Sequence, residues 1–362
     1  MTKTVDVARW RQALESAEEH DHERALRLAA GVQAGTPLSR AARLRAALDL
    51  GERAGEHTDR QALLGTLRYA LGDREALTSA EAQLLCDLQI LTSEFLIDRG
   101  RLQEAALLLQ EAARDAGTNL GADSSAVGAV ANVSGVVYKA LGRFGDAQAS
   151  YDVAQSIVLE HYGVVSDAYA TILHNLAGLA HARGQSAAGL AAGRESVRIR
   201  ESLHGPDDVL VAADVANLGG LLFDAGHLSE AKACFSRALA IFERELGPHH
   251  LEVAVNVNNL AALARLEGDT AGAEKLFRQA LAIKERCRGL THPDTLLTQY
   301  NLARHLADLG RVNEARELLD PVLRRLAGLV SEEHLVLRRA RSLADRLGVI
   351  HDPGACAGGP AA

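Results

Sequence analysis

The chain of 362 residues is 48% hydrophobic but only 4% aromatic and holds just 7 prolines, so alanine and leucine carry its apolar fraction. Such residues keep their rotamer freedom in helices, whereas a sandwich or barrel needs more β-branched and aromatic side chains, which excludes an all-β architecture. With 39 basic against 47 acidic residues and a formal net charge of -8, the chain is poorly built to neutralise phosphates, so no nucleic-acid partner is expected.

In chain order, MTKTVDVARWRQ lacks the apolar run of a signal peptide. The segments WRQALESAEEHDHERALRLAAG, LSRAARLRAALDLGERAG and RQALLGTLRYALG read as divergent helical hairpins across 1–79. A helix over 80–98 carries Ile90, Leu91 and Ile97 where later repeats are polar, an apolar end that either anchors an aliphatic side chain or is covered by those hairpins. From there glycines recur every 42 residues at Gly100, Gly142, Gly184, Gly226, Gly268 and Gly310. A second comb with the same step stands half a period away at Gly121, Gly163, Gly205, Gly247 and Gly289.

Each repeat over 80–330 therefore has two glycine-marked turns and two helices, such as 208–225 and 228–246. In the second of these, Ala231, Phe235, Ala238, Ile241 and Phe242 recur at helical spacing. Ser229 and Asp146 are expected to cap second helices, and Pro206, Pro248 and Pro293 mark where first helices begin. One repeat departs: Gly189 and Gly193 replace the usual alanine and bulky residue, so looser packing and a bend are expected at 186–203. HLVLRRARSLADRL, within 331–347, should cap the last hairpin, and 348–362 should be a mobile tail. A hairpin cannot bury its own apolar stripe, so stability must come from stacking neighbours.

Counted from each turn glycine, a small residue lies five positions on (Ala105, Ala147, Ala231, Ala273, Ala315) and a bulky one nine on (Leu109, Tyr151, Phe235, Phe277, Leu319). Leu176, Leu218, Leu260 and Leu302 recur in the first helices. This pattern resembles tetratricopeptide repeats, and the long period with NLAALARLEGDTAGAEKLFRQALAIKER resembles their kinesin-light-chain subtype. The resemblance implies an all-α, right-handed α-solenoid of stacked antiparallel helix hairpins whose first helices line a concave face.

No phosphate loop, dinucleotide fingerprint, nucleophile elbow or H-E-x-x-H motif occurs, so no catalytic residues, cofactor or metal are assigned. His20 and His22, two apart on a helix, point to different faces, and His204, His249, His250 and His292 fall in loops where a structural role is expected. Cys86, Cys234, Cys287 and Cys356 form no C-x-x-C pair, which fits a reduced, cytoplasmic setting. No stretch approaches the ~20 apolar residues of a membrane span, so no membrane partner is expected.

The polar signal lies on the first helices. Asn175, Asn217, Asn259 and Asn301 occur once per repeat, nine residues before the turn glycine. By the resemblance this position contacts bound peptide, an amide being able both to donate and to accept. The alternative is that these asparagines bond neighbouring helices and only organise the solenoid. Lys139, Asn132, His174, His181, Asn258, Arg265, Tyr300 and Arg304 share the face, with Asp224 and Asp308 opposing them. That favours a protein or peptide bearing acidic residues or a free carboxylate, unless Arg265 and Arg304 pair with the two aspartates. The carboxylate clamp known in this fold is absent, since its slots hold Ala, Gly and Val. The reading is a non-catalytic peptide-binding scaffold. Its alternatives are a regulatory adaptor for a separately encoded partner and an enzyme using His174, His181, Tyr300, Arg265 and Arg304.

Overall fold

The computed structural model describes residues 12–13, 16–17, 21–33, 37–52, 60–70, 77–329 and 335–348. The expected tail lies outside the described residues from 349 onward, as do His20, Cys356 and parts of the N-terminal hairpins. Every regular element among the described residues is an α-helix, and none is long and apolar enough to cross a membrane.

Two compact units meet within one helix, at Val137 and Tyr138. The first unit holds α1 (His22–Ala30), α2 (Arg40–Glu52), α3 (Arg60–Ala70), α4 (Ser79–Asp98) and α5 (Leu102–Leu120). A capping box starts α4: Thr78 Oγ1 accepts from the Glu81 N–H, and the Glu81 carboxylate accepts from the Thr78 N–H at 3.0 Å. Leu91 of α4 lies against Gly51 of α2, which Leu67 of α3 also approaches, so the N-terminal helices cover this part of the apolar end.

α6 (Ser125–Ala140) runs across the boundary. In the second unit follow α7 (Phe144–Tyr162), α8 (Asp167–Ala182), α9 (Ser186–His204), α10 (Val209–Asp224), α11 (Leu228–Leu246), α12 (Leu251–Leu266), α13 (Thr270–Arg288), α14 (Pro293–Asp308), α15 (Val312–Leu329) and α16 (Leu335–Leu347). First helices of 16 residues alternate with second helices of 19. The fold is the all-α solenoid of stacked antiparallel hairpins expected from the sequence.

The two glycine combs do different work. At the turn after α8, Gly184 (φ 70°) donates to the His181 carbonyl and Gln185 to the Ala180 carbonyl, the paired bonds of a Schellman end. After α9, Gly205 adopts φ 86° and ψ 167°, a region essentially closed to other residues. First helices carry side-chain caps from Ser166, Asp208, His250 and His292. The two histidines act through Nδ1, which accepts from the N–H two residues on. Second helices start differently from the expectation. Ser229 and Asp146 lie inside the first turn, because the Schellman turn leads straight into helix at His227 and Arg143, neither of which makes a side-chain cap.

The expected stripe is the core. Ala231, Phe235, Ala238, Ile241 and Phe242 are at most 2% exposed. They pack with Val211, Val215 and Leu222 of α10 and with Val253, Val257 and Leu263 of α12, so each second helix is shared by two repeats. A buried Phe or Ile contributes roughly 1.5–3 kcal/mol, which makes the stacking interface the main stabilising term. The expected looseness at 186–203 is overturned. α9 is continuous, and Gly189 is a site of close approach where a Cβ would lie 2.9 Å from both Ala180 Cβ and Leu221 Cδ2. At the far end Leu337, Ala340, Leu343 and Ala344 of α16 bury Tyr300, Leu319, Val322 and Leu326.

Candidate functional site

Successive first helices α8, α10, α12 and α14 touch one another directly. The second helices are bridged by long side chains instead, as in Arg194–Glu230 (3.3 Å), Arg237–Glu201 (2.8 Å) and Arg311–Glu274 (2.7 Å). The first-helix side is therefore the tighter, inner one, and it carries the asparagine row.

The row is partly consumed by the fold. Asn217 Nδ2 donates to the His174 carbonyl at 2.7 Å, and Asn301 Nδ2 donates to Asn258 Oδ1 at 3.2 Å, each bond joining two first helices. Asn259 accepts only a long 3.5 Å contact from Asn258. Asn175 and Asn258 are buried, whereas Asn217, Asn259 and Asn301 keep partial exposure. The helix-bonding role is thus real for Asn217 and Asn301, and it engages one half of each amide.

His174, one turn from Gly178 on α8, is oriented by a carboxylate that sequence reasoning missed. Its Nδ1 lies 2.7 Å from Asp214 Oδ1, and Asp214, 1% exposed, also meets Arg200 Nε at 2.8 Å. Arg200 continues to Asp167 (3.2 Å) and Thr171 (2.7 Å), and Asp167 meets His204 Nε2 at 2.7 Å. One signal was present: Arg200 stands between Val158 and Phe242 in repeat register, and Asp214 follows Ile172 in a column that stays polar at Asn256 and Thr298.

His181 Nδ1 lies 3.1 Å from Asp224 Oδ2, and Ser186 Oγ donates to that carboxylate at 3.2 Å. Burial works upward on Asp224, but these hydrogen bonds and the His181 charge outweigh it and hold the carboxyl below its ordinary value. Serine and aspartate both sit at Nδ1, whereas a nucleophilic relay needs them on opposite ring nitrogens. This cluster stabilises a turn and is not arranged for acyl transfer.

At the other end Arg265 pairs with Asp308 at 2.9 Å, while Arg304 has no carboxylate partner among the described residues and lies over the Tyr300 ring, 5.9 Å from its centroid. Burial and the Arg304 charge press the Arg265 guanidinium down. Tyr300 is a correction to the sequence reading: it is 4% exposed and belongs to the core under α16, not to the open face. Lys139, in the last turn of α6, reaches over Gly178, whose Cβ would stand 3.1 Å from Nζ. Asn132 belongs to the first unit. Among the described residues no group of three His, Cys, Asp or Glu side chains is placed to hold a metal ion. Cys86 is buried, which pushes its thiol up to about 12 and leaves it unreactive.

Tetratricopeptide-repeat family models match residues 170–209, 211–286 and 253–327. No curated protein matches the chain. Among solved structures, NprR in complex with its cognate peptide NprX is 15% identical, with a TM-score of 0.60 and 96% of this chain and 99% of that one covered. A Rap protein complexed with competence and sporulation factor is 13% identical, with a TM-score of 0.58 and the same coverage. A Podosopora anserina putative kinesin light chain with nearly identical repeats is 22% identical, with a TM-score of 0.40, covering 53% of this chain and 91% of that one. The NprR and Rap likenesses show the helical-repeat fold.

Proposed function

From the tetratricopeptide repeats that residues 170–327 carry, we propose that this protein is a peptide-binding scaffold whose ligand lies extended along the inner face of α8, α10, α12 and α14. The observation that carries the reading is the asparagine row: one amide per first helix, with Asn217, Asn259 and Asn301 partly exposed and only part of their bonding capacity used within the fold. Each free amide can bond a peptide N–H or C=O at about 0.5–1.5 kcal/mol net, enough to set register while side-chain contacts supply the remaining affinity. Two solved proteins of the same fold that match over 96% of this chain, NprR with its cognate peptide and a Rap protein with competence and sporulation factor, support a peptide as occupant.

An acidic peptide, or one offering a free carboxylate, fits best. Asp214, Asp224 and Asp308 are engaged by Arg200, His181 and Arg265, whereas Lys139 and Arg304 have no carboxylate partner among the described residues. The same full-length likeness supports a regulatory adaptor as the way such binding is used.

Asn259 gives the cleanest test, because its amide contributes least to the fold. A pool of short synthetic peptides with free termini is passed over immobilised protein, and retained species are identified by mass spectrometry. The wild type should retain a discrete set that Asn259→Ala releases while its circular dichroism is unchanged. Retention of the same set by Asn259→Ala together with Asn217→Ala would overturn the reading.

A further inference from the structure

The inner face follows a pairing rule with one gap. In two repeats the residue three before the turn glycine meets the residue 43 positions on, at the end of the next first helix. His181 meets Asp224 at 3.1 Å, and Arg265 meets Asp308 at 2.9 Å. Phe223 and Leu266 occupy the same two slots as an apolar pair. Lys139 is the next cation in this column, and its counter-ion slot is occupied by Ala182.

The consequence is a cation without an anion. Lys139 Nζ lies beside Gly178, where the missing Cβ leaves room, 3.1 Å from the position a Cβ would take, and the Asn217 amide lies 3.9 Å from the same position. Among the described residues no carboxylate stands within ion-pair distance of it, and its side chain donates no hydrogen bond. Asp294 is the one opposing charge that it feels, from beyond contact. Burial lowers the ammonium from its ordinary value, so the charged form is held in a poorly hydrated place. Lys139 and Ala182 nevertheless keep partial exposure, so the space above them can be entered.

We infer that Lys139, Gly178 and Asn217 form a carboxylate subsite in which a carboxyl group of the ligand takes the place of the acid missing at position 182. The inference rests on the peptide reading for its occupant but not for its test. The ammonium supplies charge, the Asn217 amide a second polar contact, and the glycine, having no Cβ, leaves both groups accessible to one carboxyl group. The His181 and Arg265 slots of this column are already matched by Asp224 and Asp308, so within the column the Lys139 slot is the one left for a ligand carboxyl group.

The chain has five lysines, Lys3, Lys139, Lys232, Lys275 and Lys284, so 13C-lysine labelling of the full chain gives a readable spectrum, with Lys139 assigned by signal loss in Lys139→Arg. Sodium acetate is titrated at constant ionic strength, with acetamide as the neutral control. The Lys139 signal should titrate below the ordinary lysine range, and acetate, not acetamide, should shift it several-fold more than the exposed Lys232. Ala182→Asp should raise the Lys139 titration and abolish the acetate response. An acetate shift no larger than at Lys232 would overturn the subsite, as would an undiminished response in folded Ala182→Asp. The wild-type comparison decides the matter even if that variant does not fold. An acetate response without retained peptides upholds the subsite and sinks only the peptide reading. For retained peptides, resynthesis with a C-terminal amide, or with Asn for Asp and Gln for Glu, separates a terminal carboxylate from a side-chain one. Equal retention of every neutralised form overturns the subsite.

Discussion

Arg200 and Asp214 illustrate how one buried charge obliges another. Asp214 is 1% exposed and meets only two cationic or potentially cationic partners, Arg200 at 2.8 Å and His174 at 2.7 Å. An isolated buried carboxylate is costly, so removing Arg200 should destabilise far more than its own contacts suggest. Arg200→Met is expected to cost about 3–5 kcal/mol in urea unfolding. A loss below about 1 kcal/mol would mean that His174 alone compensates the carboxylate. His250 and His292 show a different use of a polar side chain, each spending its Nδ1 on a helix start.

Among elements, α9 is the instructive one. Its two glycines look like weaknesses by propensity, because glycine costs about 0.5–1 kcal/mol against alanine within a helix. The neighbours reverse that expectation at Gly189, where a Cβ would meet Ala180 and Leu221 at 2.9 Å and the Ala177 carbonyl at 3.3 Å. Gly189→Ala should therefore lose about 1–3 kcal/mol by overpacking. Gly117 in α5 has nothing within 4 Å of its Cβ position, so Gly117→Ala should gain about 0.5–1 kcal/mol. Thermal unfolding of both variants checks the pair, and a stabilised Gly189→Ala would contradict the packing argument.

Over the whole molecule, the second unit gains stability repeat by repeat through shared second helices, so its ends must be closed. α16 does this with Leu337, Ala340, Leu343 and Ala344, all at most 2% exposed against Tyr300, Leu319, Val322 and Leu326. Truncation after residue 330 uncovers that surface and should lower the melting temperature and produce concentration-dependent association in size-exclusion chromatography. A monomeric truncate with unchanged melting would show that the last hairpin needs no cover. The charge distribution belongs to this scale too. A chain of net charge -8 keeps Lys139 and Arg304, two cations without a carboxylate partner among the described residues, on the side where its first helices meet, and the proposed preference for an acidic ligand rests on that contrast.

The sequence by itself determined the repeat, the helix pairs and the buried stripe, because a 42-residue recurrence of glycine and apolar residues leaves each hairpin no way to bury its face except against its neighbour. It also placed the asparagines and the cations on one side, since helical periodicity alone assigns a face. Only the tertiary structure decided which of those groups remain available. The partner of each lies 40 or more residues away on another helix: Asp214 for His174, the His174 carbonyl for Asn217, and Ala182 where Lys139 would need an acid. The same holds for Tyr300, whose register put it on the open face until α16 folded over it, and for Gly189, whose propensity predicted looseness until Leu221 filled the space. Periodicity fixes direction around a helix axis, but pairing depends on how neighbouring axes approach, which local sequence does not encode.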